Sequence, residues 1–265
     1  MMIHHIRFAF FGNAPLEVGV LEELRDVGLV PARTVTSTDL TPEFIEELEA
    51  ESWDVFVVAS FGAMLPKTFL DIPKRGVLNV HPSLLPRLRG PSPIRSAILN
   101  DYKETGVSIM LLDEKMDHGP LVAQKKVPID PPAGGGPPHG KALDVLLAYE
   151  GGKLLAQVLP LWVAGEIEAR EQNHDLATYC KQFEKEDGLL DLSADPYQNL
   201  LKIRALEGWP GTFAFFTRAN KKIRVQVLDA HTENNSLVID EVKPEGKKQM
   251  SYAAFLNSGA KPVKD

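Results

Sequence analysis

What most limits the fold is an alternation of chain types over the first third of the sequence. Ile6-Arg7-Phe8-Ala9-Phe10-Phe11 and Trp53-Asp54-Val55-Phe56-Val57-Val58-Ala59 are near-continuous apolar runs, rich in β-branched and aromatic residues. Runs that are apolar on both faces suit interior strands of a parallel sheet, covered by helices on each side. Between them, residues 16–27 carry Val20, Leu21, Leu24 and Val27 at helical spacing. Thr41-Pro42 is a cap followed by a first-turn proline, which opens a helix through residue 50. Residues 29–36 read as a strand, 67–70 as a short helix and 76–80 as a further strand. Strand and helix in regular alternation predict an α/β domain with a mostly parallel sheet. Gly12 has no further glycines at the spacing of a dinucleotide fingerprint, so a nicotinamide cofactor is unsupported.

The later chain changes character. Residues 92–100 read as a helix, 106–112 as a strand leading into a loop at 113–119, and 121–129 as its antiparallel partner. A Pro/Gly-rich surface loop at 130–140 precedes a long helix over 141–164, with Leu143, Leu146, Leu147, Leu154, Leu155 and Val158 on its buried face. That helix is expected to loosen near Gly151-Gly152 and to end or kink at Pro160. Residues 166–185 are polar and unpatterned, as in a linker. Beyond them a short helix at 197–205 precedes strand-period runs at 213–217, 222–229 and 236–242, with a turn at Asn234-Asn235. The expected organisation is a larger domain over 1–168, a linker over 169–186 and a small β-rich domain over 187–265. No internal repeat is visible.

Composition narrows the setting. A single cysteine, Cys180, excludes an internal disulfide and fits a reducing compartment. No run of about 18 apolar residues is present, so no membrane span is expected. The N-terminal residues lack secretory or transit character, which makes the cytoplasm the expected location. A monomer is expected, because no exposed heptad or apolar patch can be read from the pattern. The net charge of −7 argues against bulk nucleic-acid binding, yet from Leu200 to Asp265 eleven Lys/Arg stand against seven Asp/Glu. A basic end on an acidic body is what a localised polyanion contact looks like, although a solvated charged surface is the commoner meaning of such a bias.

The chemistry concentrates in Asn79-Val80-His81-Pro82-Ser83-Leu84-Leu85-Pro86 and Met116-Asp117-His118-Gly119-Pro120. In open α/β sheets ligands bind outside the carboxyl ends of the strands, and Asn79 lies near one such end with His81 expected beyond it. Two residues apart on extended chain, Asn79 and His81 leave the same face, and Pro82 biases His81 towards the extended region. Amide and imidazolium can both donate to a developing oxyanion, and the carboxylate of Asp117 can orient the imidazole and stabilise its charge. Taken singly, each residue is ordinarily a turn former or a satisfied loop side chain. Together, at this spacing, they point to a carbonyl reaction.

On these residues the chain resembles the folate-dependent formyltransferases, which carry an Asn-x-His, a Ser-Leu-Leu-Pro run and a distal Asp-x-Gly. Arg87-Leu88-Arg89-Gly90-Pro91-Ser92-Pro93-Ile94, Lys185-Glu186-Asp187-Gly188-Leu189-Leu190-Asp191, Gly208-Trp209-Pro210-Gly211-Thr212-Phe213 and Pro244-Glu245-Gly246-Lys247-Lys248-Gln249-Met250-Ser251 look most like the branch of that family that formylates methionyl-tRNA. The resemblance implies a Rossmann-like formyltransferase domain followed by a truncated OB-like barrel. It implies 10-formyltetrahydrofolate as formyl donor, the α-amino group of methionyl-initiator tRNA as acceptor, a part in translation initiation, and no metal. Asn79, His81 and Asp117 are the implied catalytic residues; Ser83, Leu84, Leu85 and Pro86, with Met64 and Leu65 as a second wall, are the implied folate contacts. Arg87 and Arg89 would meet tRNA phosphate or the folate tail, or simply stand in a solvated loop. Lys202, Arg204, Lys221, Lys222 and Arg224 would meet tRNA phosphate. Two departures stand out: only Val35-Thr36-Ser37-Thr38-Asp39-Leu40 remains of the family's basic insertion, and about one hairpin of the second domain is expected to be missing between Asp229 and Val242. A formyltransferase for another amine, such as a nucleotide-linked amino sugar, would keep the three catalytic residues without needing the basic end. A non-catalytic folate- or tRNA-binding protein would have no reason to assemble all three.

Overall fold

The computed structural model describes residues 6–36, 40–132, 135–219 and 221–263, so Ser37, Thr38 and Asp39 of the short connection between Val35 and Leu40 lie outside the described residues. The chain divides into two compact units. The first comprises the residues through Pro93 together with Glu104–Pro128 and Asp144–Lys181; the second comprises Ile94–Lys103, Ile129–Leu143 and the residues from Gln182 onward.

The first unit is built on a six-stranded sheet. Its strands are β1 (Phe8–Gly12), β2 (Arg33–Val35), β3 (Val55–Ala59), β4 (Val77–His81), β5 (Glu104–Leu111) and β6 (Leu121–Pro128), in spatial order β2-β1-β3-β4-β5-β6. The first four are parallel, and β5 and β6 add antiparallel to that edge. β1 and β3 are buried at every position, which is why their sequences show no alternation. β2 is shorter than the expected 29–36 run, because only Arg33–Val35 pairs with β1; Leu29 is buried without joining the sheet and Val30 is exposed. Trp53, Phe56, Phe11 and Phe69 form a cluster of edge-on and tilted ring contacts on one side of this sheet.

Helices follow the expected order: α1 (Leu16–Asp26), α2 (Pro42–Glu49), α3 (Lys67–Leu70), α4 (Pro93–Leu99) and α5 (Gly140–Ala164). Thr41 caps α2 by accepting from the Phe44 N–H at 3.3 Å. The glycines of α5 have a packing purpose. A Cβ on Gly151 would stand 2.7 Å from Val80 Cγ1, and one on Gly152 would stand 2.9 Å from the Val20 Cα of α1. Small residues therefore let α5 lie close against both the sheet and α1. Pro160 does not stop α5, which continues to Ala164.

In the second unit, α6 (Pro196–Ala205) packs with a five-stranded antiparallel sheet of spatial order β10-β9-β8-β7-β11. Its strands are β7 (Thr212–Arg218), β8 (Lys221–Glu233), β9 (Ser236–Pro244), β10 (Met250–Ser251) and β11 (Lys261–Pro262), with α7 (Tyr252–Asn257) between the last two. Glu233 pairs with Ser236, so the expected turn is a two-residue loop, and Asn234 and Asn235 both have positive φ, at 48° and 59°. Asparagine tolerates that left-handed geometry, and the twist of such a turn matches the strands it joins. Leu200, Ile203, Phe216, Val225, Val227, Ile239 and Phe255 form this unit's core. Among the described residues no helix is long and apolar enough to cross a membrane.

Candidate active site

β4 lies between β3 and β5, with Asn79 beside Val58 on one side and Met110 on the other. His81 is the last residue of β4, paired with Ser108, and is therefore held by the sheet instead of lying beyond it as expected. Its side chain is buried. Asp117 sits in the turn after β5 at φ 48°, and its Oδ1 lies 3.6 Å from His81 Nδ1. The other carboxylate oxygen accepts the Gly90 N–H at 2.7 Å. Nε2 of His81 lies 3.2 Å from the Leu88 carbonyl oxygen, so both ring nitrogens face oxygen acceptors. The Asn79 amide is half-buried and, among the described residues, has no hydrogen-bond partner. Histidine and aspartate from distant segments thus meet, beside an amide with donors to spare.

The run after His81 splits by side-chain direction. Ser83 and Leu85 face inward, 1% and 3% exposed, whereas Leu84 and Pro86 are partly exposed. The backbone of this run is locked by residues that sequence reasoning missed. Ser108 Oγ donates to the Ser83 carbonyl at 2.6 Å and accepts from the Leu85 N–H at 3.1 Å, while Gln124 Nε2 donates to the Leu85 carbonyl at 2.8 Å. The available signal was Ser108 itself, a hydroxyl within the apolar run from Val107 to Leu112. Gly106 admits Leu84, since a Cβ there would lie 2.4 Å from Leu84 Cδ2. Met64 and Leu65 belong to the loop that leaves the carboxyl end of β3; Met64 is exposed, and Leu65 packs partly against the aromatic cluster. Asn13 fastens the same loop by donating to the Phe61 carbonyl at 3.3 Å.

The two arginines part company. Arg87 is exposed. Arg89 is 2% exposed and points inward, where it donates to Gln172 Oε1, so it neither is presented to a phosphate or folate tail nor stands in a solvated loop, the readings its sequence left open. The polar stretch read as a linker runs along this unit as far as residue 181, and supplies that glutamine. Among the described residues, no cluster of His, Cys, Asp and Glu is placed to hold a metal ion.

Comparison with known proteins gives the family. Residues 25–134 match the formyl transferase domain family. The methionyl-tRNA formyltransferase of Geotalea uraniireducens is 36% identical over 233 residues, which is 81% of this chain and 73% of the relative. The structure of the methionyl-tRNA formyltransferase from Clostridium thermocellum superposes with a TM-score of 0.67 at 16% identity, covering 90% of this chain and 98% of that one. HypX from Aquifex aeolicus, in complex with tetrahydrofolic acid, superposes with a TM-score of 0.74 at 17% identity over 96% of this chain and 47% of its own. The structural likenesses at that identity establish the fold, and the sequence identity, held across both units, goes further: the chain belongs to the methionyl-tRNA formyltransferase family.

Proposed function

We propose that the chain moves a formyl group from 10-formyltetrahydrofolate to the α-amino group of methionine on initiator tRNA, with Asn79, His81 and Asp117 as the catalytic residues. The observation that carries this reading is the meeting of His81 and Asp117, 3.6 Å apart, beside the unpartnered Asn79 amide at the carboxyl end of β4. The neutral amine attacks the formyl carbon, a C–N bond forms and the carbonyl oxygen becomes an oxyanion. Donors from the Asn79 amide and the His81 ring stabilise that charge, and one well-placed donor of this kind is worth about 3–4 kcal/mol. Asp117 balances the positive ring and helps carry the proton from the attacking nitrogen to N10 of the folate as the old C–N bond breaks. A free α-amino group titrates near pH ~8, so much of it is already neutral at physiological pH, and positioning is the larger task.

The residues present fit the donor substrate as an apolar wall. Leu84, Pro86 and Leu65 offer partly exposed side chains and Met64 an exposed one on two loops, whereas Ser83 and Leu85 act by holding the first loop's shape. This reading places the reaction in the cytoplasm, with protein synthesis, in a monomeric enzyme. Formyl transfer to methionyl-tRNA is assayed beside transfer to an amino-sugar nucleotide, with wild type and His81→Ala. The expected result is activity on the tRNA alone, a loss of about 10²- to 10³-fold in the variant, and folate affinity changed less than about twofold. Full activity in His81→Ala would overturn the mechanism, and preference for the sugar would overturn the acceptor.

A further inference from the structure

We infer that Gln172 is a positioning residue for Asp117, and that residues 170–180 are a strap that sets the active-site geometry; this rests on the catalytic reading of Asp117 given above. The strap is pinned at both of the segments that supply the site. On one side Arg170 exchanges backbone hydrogen bonds with Leu121, at 2.7 and 2.8 Å. On the other, the Arg89 N–H donates to the Thr178 carbonyl and the Cys180 N–H to the Arg89 carbonyl, both at 2.8 Å. Thr178 Oγ1 also accepts from the Leu88 N–H at 2.9 Å, which fixes the residue whose carbonyl faces His81 Nε2.

Gln172 stands at the centre, 5% exposed, with its amide fully used. Its NH2 group donates to the carbonyl oxygens of Asp117 at 2.9 Å and Gly119 at 2.7 Å. Its Oε1 accepts from Arg89 Nη2 at 2.6 Å and Nε at 3.2 Å. Only a side chain that both donates and accepts can do this, and glutamine's two ends are matched to the two tasks. Asp117 needs such support because it is held at φ 48°, a conformation that costs a non-glycine residue energy and persists only where the surroundings impose it. A second contact from the strap reinforces it: the His174 ring stacks on His118, the residue after Asp117, with centroids 4.1 Å apart, and its Nδ1 lies 2.8 Å from Arg89 Nη2.

Arg89 makes the inference testable. It is buried and, among the described residues, its side chain hydrogen-bonds to Gln172, His174 and Tyr179, with no carboxylate among them. Gln172→Glu gives that guanidinium a carboxylate, while removing both donors to the Asp117 turn and setting an oxygen against two carbonyls. A residue that only holds the fold would then keep its activity wherever the variant stays folded. A positioning residue would lose it, because misplacing a reacting group by about 1 Å costs on the order of 100-fold.

The experiment measures kcat and KM on methionyl-tRNA for wild type, Gln172→Glu, Asp117→Asn and the exposed control Glu168→Gln, beside thermal melting and 15N shifts of the histidine rings. The expected outcome for Gln172→Glu is a kcat lower by about 10- to 100-fold, each KM within about twofold, and His81 ring shifts displaced in the same direction as in Asp117→Asn. Glu168→Gln should match wild type throughout. If Asp117→Asn loses activity while Gln172→Glu keeps its kcat and its His81 shifts, the strap has no positioning role. If Asp117→Asn itself keeps full activity, the catalytic reading fails and this inference goes with it. Should Gln172→Glu not fold, Thr178→Val tests the other pin of the strap by the same His81 shifts, and unchanged shifts there overturn the strap.

Discussion

The smallest scale at which the site can be broken is a single hydrogen replaced by a methyl group. Gly119 follows Asp117 by two residues, and a Cβ built there would lie 2.0 Å from the Leu111 carbonyl oxygen. That neighbour is strand backbone, which cannot swing aside as a flexible side chain would. The glycine of the Asp-x-Gly motif is therefore a matter of space, and its φ is not in the left-handed region. Overpacking of this kind costs about 1–3 kcal/mol, occasionally more. Gly119→Ala should accordingly lower the unfolding free energy by about 2–3 kcal/mol in urea denaturation, and should reduce formyl transfer even at temperatures where the variant is folded, because the turn that carries Asp117 must shift. A variant with wild-type stability and rate would show that the turn can yield after all. Glycine after x is legible in sequence only as a turn; the closeness of Leu111 is not, because it depends on the return of the chain at β6.

Elements differ in how plainly their sequences announce them. β1, β3 and β4 are legible because both their faces are buried, and the helices because one face is. β10 and β11 are not, since a two-residue strand has no period to show. Nor is the strap: Gln172, His174 and Thr178 are polar residues whose partners are backbone groups and a buried arginine, so their order obeys no hydrophobic rhythm. Asn79, His81 and Asp117 were readable as a set through family likeness, but Ser108 and Gln124, which hold the run after His81, and Gln172, which holds the Asp117 turn, were not. Charge between elements is a further case. Lys125 of β6 pairs with Glu150 of α5, and that hydrogen bond holds the Glu150 carboxyl below its ordinary 4.5. A depressed folded value means the pair stabilises the fold above the ordinary carboxylate range and loses that contribution as pH falls through the lowered value. Lys125 is 45% exposed, so solvent screening limits the effect to about 1 kcal/mol or less. Lys125→Met should therefore be less stable than wild type at pH 7, with the difference shrinking below pH 4.5, as read by denaturant midpoints at both pH values. A difference that grew on acidification would contradict the assigned sign.

At the scale of the molecule, the uneven charge becomes a face of the second unit. Along β7 and β8 the sides alternate: Ala214, Phe216, Val225 and Val227 enter the core, while Phe213, Phe215, Lys222, Arg224 and Gln226 take the opposite side. There the Arg224 guanidinium lies 3.9 Å from the Phe213 ring centroid, and Lys222 Nζ lies 4.2 Å from that of Phe215. Stacking of this kind holds a cation in place without neutralising it. Arg224, Gln226, Lys243 and Gly246 also line a shallow cavity of about 230 Å³. Arg204 behaves differently. Its Nη1 lies 3.2 Å from Asp229, its Nη2 donates to the Ala230 carbonyl at 2.8 Å, and its side chain is 13% exposed, so it braces α6 against β8 and is withdrawn from any phosphate. The residues expected to meet tRNA therefore separate into a presented set and a structural one. Each lysine or arginine that neutralises a phosphate releases counterions, and its loss should flatten the dependence of log K on log salt by roughly 0.7–0.9. Lys222→Ala and Arg224→Ala should each do so in methionyl-tRNA binding titrations between low and moderate salt. Arg204→Ala should leave the slope unchanged and lower the melting temperature instead, because it strips a part-buried ion pair that ties α6 to β8. Equal slopes for all three variants and wild type would remove this face from tRNA binding, whatever the net charge of the chain's last quarter.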